Sequence, residues 1–419
     1  MRSLDLTEYR TAVGVALGLD QLRDLSTLVP SMSVAPSISQ PGRWDLTPGA
    51  DVGIVVLGDT TLNIGPKIGI DRLMFLIAYV LDPVRWSEQL SSISEANNPL
   101  DALVPSFVAA LRTALGPGVL HGYRTTDDSS TVVRGRIRFG DQLRRRFATS
   151  APVEVSYDDF TDDIDENRIL KAALRQLRRL PVRSSRLRRE LHHYDRALAA
   201  VTAIEYHPRQ VPQITWTRLN ARYQLAVDLA RLVVRNSSIE RHPGAVSSSA
   251  FLVNMNELFE VFVITALREH LGVDPRTLVR GTKDRRLHLD EAERVRLEPD
   301  LSWWNGSRCE FVGDCKYKRV NLAGIKHADL YQLLAYTTAT GLDEGLLIYA
   351  QGEAEPREHS VRLAGKTLHV TAVNLTGAPE RILAEIERVS GIITEMRSAS
   401  RAAADRDETA SELVEPGQN

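Results

Sequence analysis

The chain of 419 residues contains little cysteine, no long apolar run and no histidine pair of the kind that binds zinc. Cys309 and Cys315 are its two cysteines, too few for a disulfide framework or a cysteine metal cluster. The ten histidines show no HxxxH or HExxH spacing, so a zinc site is not expected. No run of about eighteen uncharged apolar residues and no secretory cleavage pattern occurs, so we expect a cytoplasmic protein without membrane contact.

Positive charge is concentrated in one stretch of a chain whose net charge is −2. Ten basic residues and two acids lie between Arg168 and Leu198, in a segment with a helical pattern. A basic stripe on a helix can follow a phosphate backbone, whereas a solvated helix face without a ligand is the alternative interpretation. The candidate DNA contacts in this stripe are Arg178, Arg179, Arg188 and Arg189.

The patterns of apolar residues change along the chain and predict a mixed fold of the α+β or α/β class. Residues 1–157 contain short alternating apolar runs and form a first, β-rich predicted domain. Residues 158–397 start with a helical pattern and then alternate strands with helices, while the polar residues 398–419 are predicted to be disordered. The polar stretch Thr125–Ser130 lies between two strand-like pieces and predicts an exposed hairpin tip.

One predicted hairpin carries residues suited to metal-dependent hydrolysis. Two alternating apolar runs flank Asn305-Gly306, a turn sequence typical of hairpins. Asp314 and Lys316 are two apart on the second strand and so share a face, and Asp300 follows Pro299 on the first. Two carboxylates suit Mg²⁺, which lowers the pKa of a bound water, and a lysine offsets developing negative charge. Asp-x-Lys alone is also common as a surface ion pair.

The register of this hairpin sets a geometric condition on its two aspartates. A two-residue Asn305-Gly306 loop would place Asp300 and Asp314 on opposite faces of the sheet. They can share a metal only if the loop has an odd length or a bulge shifts the register. Because Pro299 and Gly313 are natural bulge sites, we predict a break in regular pairing beside one of them.

The helices that flank this hairpin also carry polar side chains. The preceding helix offers Glu257 or Glu260 as a third ligand, and the following helix carries Asp329, Gln332 and Tyr336 on one face. The order of acid-bearing helix, Pro-Asp strand, Asp-x-Lys strand, Gln-xxx-Tyr helix and apolar strand resembles the PD-(D/E)XK nuclease superfamily. That resemblance implies a restriction-endonuclease-like core, a central mixed sheet flanked by helices.

From about Asp51 to Tyr349 the chain resembles the McrC family, the nuclease subunits of McrBC modified-cytosine restriction systems. The motifs that carry this resemblance are Ile64-Gly-Pro-Lys67, Arg134-Gly-Arg-Ile137, Tyr157-Asp-Asp-Phe-Thr161, Asn167-Arg-Ile-Leu-Lys171, Met255-Asn-Glu-Leu-Phe-Glu260, Pro299-Asp300, Asp314-Cys-Lys316 and Tyr331-Gln332. Their order and spacing are more specific than any one of them.

The resemblance implies roles for individual residues. On a helix, Glu257 points about 60 degrees away from Glu260, so only one of the two acids should face the site. The resemblance selects Glu260. The implied catalytic residues are Asp300, Asp314 and Lys316. The implied Mg²⁺ ligands are Asp300, Asp314 and Glu260, and the implied auxiliary residues are Gln332 and Tyr336.

The resemblance also implies a partner, an McrB-like AAA+ GTPase hexamer that binds GTP and recognises double-stranded DNA carrying modified cytosine. Residues 1–157 would form the partner-binding domain that caps and stimulates this ring. The chain has no Gly-xxxx-Gly-Lys-Ser/Thr loop, so we expect it to bind no nucleotide itself. The tip at Thr125–Ser130 is a candidate contact with the ring, and a plain surface loop is the alternative.

Three functions therefore stand as hypotheses. The first is an endonuclease subunit that cuts DNA when assembled with the GTPase and stimulates it. The second is a non-catalytic activator or adaptor with a decayed nuclease core, against which the complete set of Asp300, Asp314 and Lys316 argues. The third is a stand-alone nuclease of DNA repair or recombination, in which the Gln332-xxx-Tyr336 element would also be expected.

Overall fold

Strands and helices follow one another along the chain in an irregular order, which gives the mixed fold that the sequence predicts. The computed structural model describes residues 2–84, 86, 98–145, 151–208, 210–240, 248–281, 285–317, 327–350 and 357–414. Within these ranges, no helix is both long enough and apolar enough to cross a membrane.

The strands and helices are named in chain order. The strands are β1 (Arg2–Thr7), β2 (Ala12–Val15), β3 (Ser33–Pro36), β4 (Trp44–Thr47), β5 (Asp51–Leu57), β6 (Thr60–Gly65), β7 (Gly122–Ser130), β8 (Arg136–Ile137), β9 (Val153–Thr161), β10 (Ser237–Glu240), β11 (Ser248–Asn254), β12 (Leu278–Val279), β13 (Leu287–His288), β14 (Arg296–Leu297), β15 (Leu301–Asn305), β16 (Arg308–Lys316), β17 (Glu344–Ala350), β18 (Arg357–Val361) and β19 (Lys366–Val373). The helices are α1 (Leu19–Leu28), α2 (Ile70–Leu81), α3 (Pro99–Leu115), α4 (Phe139–Arg145), α5 (Asp165–Leu177), α6 (Ser185–Ala197), α7 (Gln224–Asn236), α8 (Met255–Leu271), α9 (His327–Thr340) and α10 (Pro379–Val414).

A five-stranded sheet organises the N-terminal part of the fold, in the order β1-β6-β5-β11-β10. β5 and β6 form a tight hairpin at Gly58, whose φ of +63° favours glycine. β10 and β11 come from residues far beyond 157, yet they complete this sheet. The boundary predicted at 157/158 therefore does not separate two structural units, because strand pairing joins residues from both sides of it.

A three-stranded sheet of β7, β9 and β8 lies largely exposed beside the helical region. All of Thr125–Ser130 belongs to β7 and pairs with β9, so the prediction that this stretch is a hairpin tip is wrong. The polar residues are tolerated in a strand because this sheet has little apolar surface to cover. The turn begins only after Ser130.

The C-terminal part is a six-stranded mixed sheet, in the order β12-β15-β16-β17-β19-β18. β15 and β16 are antiparallel, whereas β16 and β19 both run parallel to β17. One face of β16 shares a hydrophobic core with α8 and α10, and the other shares a smaller core with α9. This is the predicted central mixed sheet with flanking helices.

The last helix extends further than the sequence predicts. α10 continues through Val414, so the prediction of disorder is wrong for 398–414, while 415–419 lie outside the described residues. Within this stretch the carbonyl of Ser400 accepts a hydrogen bond from Arg308 at 2.8 Å, and Arg401 pairs with Glu310. Charged side chains that look solvated in the sequence are thus partly used to hold the helix against β16.

Candidate active site

The hairpin of β15 and β16 brings Asp300 and Asp314 to one face of the sheet. Leu301 pairs with Gly313, so Asp300 lies opposite Asp314 at the next position. The hairpin loop is Gly306-Ser307, one residue later than predicted, with Asn305 and Arg308 pairing across it. The geometric condition set by the sequence is thus met.

The break in pairing occurs at a different place from the one predicted. The register shifts between Trp303 and Trp304, where Glu310 is the extra residue on β16. The β15 ladder then runs regularly to its last pair at Leu301 and Gly313, and β16 continues past Gly313 paired with β17. Moving the loop by one residue shifts the partner of every β15 residue by two positions along β16, which leaves each side chain on the same face of the sheet. The bulge adds the single residue that brings both aspartates to the same face.

Asp314 is a buried carboxylate with almost no hydrogen bonding. Its side chain is 1% exposed, and neither carboxylate oxygen accepts a hydrogen bond from a backbone N–H or a hydroxyl of the described residues. The ammonium of Lys316 lies 2.5 Å from Oδ2, and burial raises the pKa of the Asp314 carboxyl. Burial would lower the pKa of Lys316, but the Asp314 and Asp300 carboxylates raise it. A carboxylate in this state binds a cation readily.

Asp300 is held in place by the backbone of the neighbouring strand. Its Oδ2 accepts a hydrogen bond from the N–H of Cys315 at 2.9 Å. Burial and the nearby Asp314 carboxylate raise the pKa of Asp300 above its usual value. The two acids therefore form a pair of like charges in a dry environment, an arrangement that costs free energy unless a cation joins it.

Glu260 lies at the edge of this pair, on α8. Its carboxylate is bonded to Arg280 at 3.1 Å, and burial together with Asp300 raises its pKa. Glu257 is 70% exposed on the same helix, so Glu260 is the acid that faces the pair. No group of three His, Cys, Asp or Glu side chains in the described residues is placed to hold a metal. Glu260, the third predicted ligand, is paired with Arg280 in this structure, and its role as a ligand stays a prediction.

Gln332 and Tyr336 support the segment that carries Asp300. The Tyr336 hydroxyl donates to the carbonyl of Glu298 at 3.0 Å and accepts from Gln332 Nε2 at 2.6 Å. Burial raises the pKa of Tyr336, with a further contribution from Asp314. These two residues thus connect α9 to the chain just before Asp300.

The residues present fit a small, hard cation. Mg²⁺ is commonly held by one or two carboxylates and completes its shell with water and substrate phosphate. Asp300 and Asp314 supply that donor set, and the buried Oδ1 of Asp314, which has no partner among the described residues, is the observation that supports it. A third protein ligand is not required for this coordination.

Much of the basic stripe serves the fold. Arg178 pairs with Asp195 at 2.5 Å, and Lys171 donates to backbone carbonyls beyond α6. Arg179 lines a cavity with Arg175, while Arg188 and Arg189 are exposed on α6. The structure thus provides a structural role for Arg178 and leaves the exposed pair as the better candidates for nucleic acid.

Two contacts of the site strand were missed by sequence reasoning. Glu310 at the bulge is bonded to Arg397 and Arg401 on α10. At the end of β16, the hydroxyl of Tyr317 donates to the buried Glu8 at 2.9 Å. An acid inside an apolar strand is a signal for the first contact, but its partners are nearly a hundred residues away and nothing local identifies them.

The structural class of the protein follows from its fold and its carboxylate pair. It is a mixed-sheet protein whose central hairpin carries two aspartates and a lysine. The family described as McrBC 5-methylcytosine restriction system component matches residues 46–350. The chain belongs to this family.

One solved structure has a similar fold, and a second solved structure is less similar. A chain of the refined half-complex from a tetradecameric assembly of Thermococcus gammatolerans McrB AAA+ hexamers with bound McrC has a TM-score of 0.56 and 17% identity, covering 92% of this chain and 100% of that chain. A cryo-EM structure of the Thermococcus gammatolerans McrBC complex has a TM-score of 0.41 and 20% identity over 64% of this chain and 88% of that chain. No curated protein is similar enough to count as a match.

Proposed function

We propose that this protein is the Mg²⁺-dependent DNA endonuclease subunit of an McrBC-like, modification-dependent restriction system. The observation that carries the proposal is the buried pair of Asp300 and Asp314 on one face, with Lys316 beside it. A buried carboxylate pair with few hydrogen-bond donors is costly, and such groups concentrate at functional sites.

Each residue of the set has a distinct task in phosphodiester hydrolysis. Asp300 and Asp314 would hold Mg²⁺, which when bound supplies an activated water and offsets charge on the phosphate. The N–H of Cys315 fixes Asp300, so its oxygens need little reorganisation. Lys316 presents its ammonium on the same face and stabilises the negative charge that develops on the phosphate oxygens. Glu260 remains beside the pair as an auxiliary acid.

The proposed partner is an McrB-like AAA+ GTPase hexamer. The solved assembly with the same fold contains McrB hexamers with bound McrC, and the family description names 5-methylcytosine restriction. GTP would be bound by the partner, since this chain lacks a phosphate-binding loop. The largely exposed sheet of β7, β8 and β9 is a candidate surface for that contact.

The first experiment is a cleavage assay on methylated and unmethylated plasmid DNA in the presence of GTP. It is run with and without the McrB-like GTPase, and with either Mg²⁺ or EDTA. We expect cleavage of the methylated plasmid only with all components present. Asp314→Ala should abolish cleavage while stimulation of GTP hydrolysis persists. Asp343→Ala removes an exposed aspartate of the same domain and should cut like the parent.

The outcomes separate the competing functions. Equal cutting by Asp314→Ala and the parent would show that the site assignment is wrong. Cutting by the parent chain alone indicates a stand-alone nuclease, and stimulation of the GTPase without any cutting indicates an adaptor.

A further inference from the structure

The bulge that brings the two aspartates together contains a buried acid. Glu310 is the extra residue of β16, and its side chain is 2% exposed. It accepts hydrogen bonds from Arg397 Nη2 at 2.8 Å and from Arg401 Nε and Nη2 at 2.9 Å each. Asn305 adds a fourth bond at 3.3 Å. The carboxylate is thus fully engaged, in contrast to that of Asp314.

Both arginines belong to α10 and approach the strand pair at the irregular position. The guanidinium carbon of Arg397 lies 3.4 Å from the centroid of the Trp303 ring. Trp303 is the residue of β15 at which the register shifts. Arg308, at the start of β16, donates to the carbonyl of Ser400 on the same helix. The last helix therefore contacts the bulge on both strands.

Side-chain burial shows what the bulge does to β16. Cys309 packs in the core beside α9, whereas Phe311 packs in the core beside α8 and α10. In a regular strand, residues two apart share a face, so these two positions would lie in the same core. The extra residue reverses the alternation, and Asp314 consequently faces the same side as Asp300.

A buried ion pair in this position is expected to add little to the free energy of unfolding. Replacing a buried ion pair with apolar residues of similar volume is often neutral or stabilising, because desolvation cancels much of the attraction. A bidentate arginine pair does impose a defined geometry, which apolar contacts impose less strictly. The placement of Glu310 at the bulged residue therefore indicates a role in register.

We propose that Glu310, Arg397 and Arg401 form a clamp that holds the bulge and thereby positions Asp314 opposite Asp300. The three are positioning residues, since none of them contacts the carboxylate pair in the described structure. This inference rests on the proposed function and names the part of the last helix that the site requires. Loss of the clamp frees β16 to sample the regular register, in which the aspartates separate.

The test compares the full-length parent with Glu310→Gln, Arg401→Gln and the double variant. We measure melting temperature against Mg²⁺ concentration and cleavage rate at saturating DNA and GTPase. Each single variant should need about ten-fold more Mg²⁺ for half-maximal thermal stabilisation and should cut about ten-fold more slowly. The double variant should be no worse than Glu310→Gln alone, because Glu310→Gln already removes the carboxylate that Arg401 binds.

A matched control separates positioning from general support. Arg388 on the same helix bonds Thr371 and the carbonyl of Ala372, away from the bulge. Arg388→Gln should lower the metal-free melting temperature and leave the Mg²⁺ dependence at the parent value. If Glu310→Gln and Arg401→Gln behave like Arg388→Gln, the clamp has no positioning role.

A further measurement does not require an active nuclease. Hydrogen exchange across β15 and β16, measured by mass spectrometry without metal, should be faster in Glu310→Gln than in Arg388→Gln. Unchanged exchange would overturn the clamp even if the parent cleaves DNA. A parent without Mg²⁺-dependent cleavage would instead overturn the proposed function, and the exchange result would still decide the clamp.

Discussion

Asp163 and Asp314 are both largely buried aspartates, but their surroundings are opposite. Asp163, before α5, accepts hydrogen bonds from Arg124, Arg168 and both the N–H and the hydroxyl of Thr202. Arg168 and the Thr202 donors hold its pKa well below its usual range. Asp314 has the Lys316 ammonium beside its Oδ2 and no partner for its Oδ1 among the described residues, and burial raises its pKa.

The difference distinguishes an acid that builds the fold from one kept for chemistry. The donors around Asp163 tie β7, α5 and the segment after α6 together, so the ionised carboxylate stabilises the native state. The surroundings of Asp314 penalise its charge and leave its oxygens available to a cation. Removing each charge should therefore change stability in opposite directions.

The largest effect is expected for Asp314→Asn. Cleavage with the partner and Mg²⁺ should fall by about 10³-fold, since a ligand of the proposed metal is lost. The free energy of unfolding without metal should rise by about 1 kcal/mol, because one of two buried like charges disappears. Urea unfolding and plasmid cleavage measure the two quantities. If the variant loses stability and keeps its activity, Asp314 stabilises the fold as Asp163 does and is not a catalytic residue.

The Asp163→Asn substitution should lower stability and leave cleavage nearly unchanged. Its free energy of unfolding should fall by about 2–3 kcal/mol, because Arg168 and Arg124 lose their carboxylate. Cleavage per folded molecule should stay near the parent value, since Asp163 does not contact the carboxylate pair. Urea unfolding at neutral pH, with activity normalised to folded protein, gives both numbers.

The same variant also tests the sign of the pH dependence. The folded-state pKa of Asp163 is below its unfolded value of about 3.9, so its contribution is fully present above that pH and is lost as the pH falls. The parent should therefore lose more stability than Asp163→Asn between about pH 5 and pH 3. Parallel loss in both proteins would contradict the assignment of Asp163 as a structural acid.

The smallest effect is expected for Tyr336→Phe, which leaves both acids in place. The carbonyl of Glu298 loses its donor, so stability should fall by about 1 kcal/mol and cleavage by about five-fold. Tyr349→Phe removes a buried hydroxyl from Asp329 and is the matched control for stability. If both variants cut at equal rates, Tyr336 supports only the fold and not the segment before Asp300.

Local pattern predicted a large share of the architecture. The hairpin of β15 and β16, α8 and the helix with Gln332 and Tyr336 all follow from apolar patterns and a glycine turn. The domain boundary was not predictable in this way, because β11 pairs with β5, about two hundred residues earlier, and β10 pairs with β11. The roles of Asp300, Asp314 and Lys316 remain predictions that the geometry supports.

The sequence by itself determined which residues are candidates. The spacing of Asp314 and Lys316 sets a shared strand face, and the parity of the hairpin demands a register break, since side chains alternate at every residue. Only the tertiary structure decided where that break falls. Two arginines of α10 meet Glu310 across almost a hundred residues of chain, and one of them, Arg397, also lies over the ring of Trp303. No local propensity encodes such a contact, because it exists only when the last helix packs against β16.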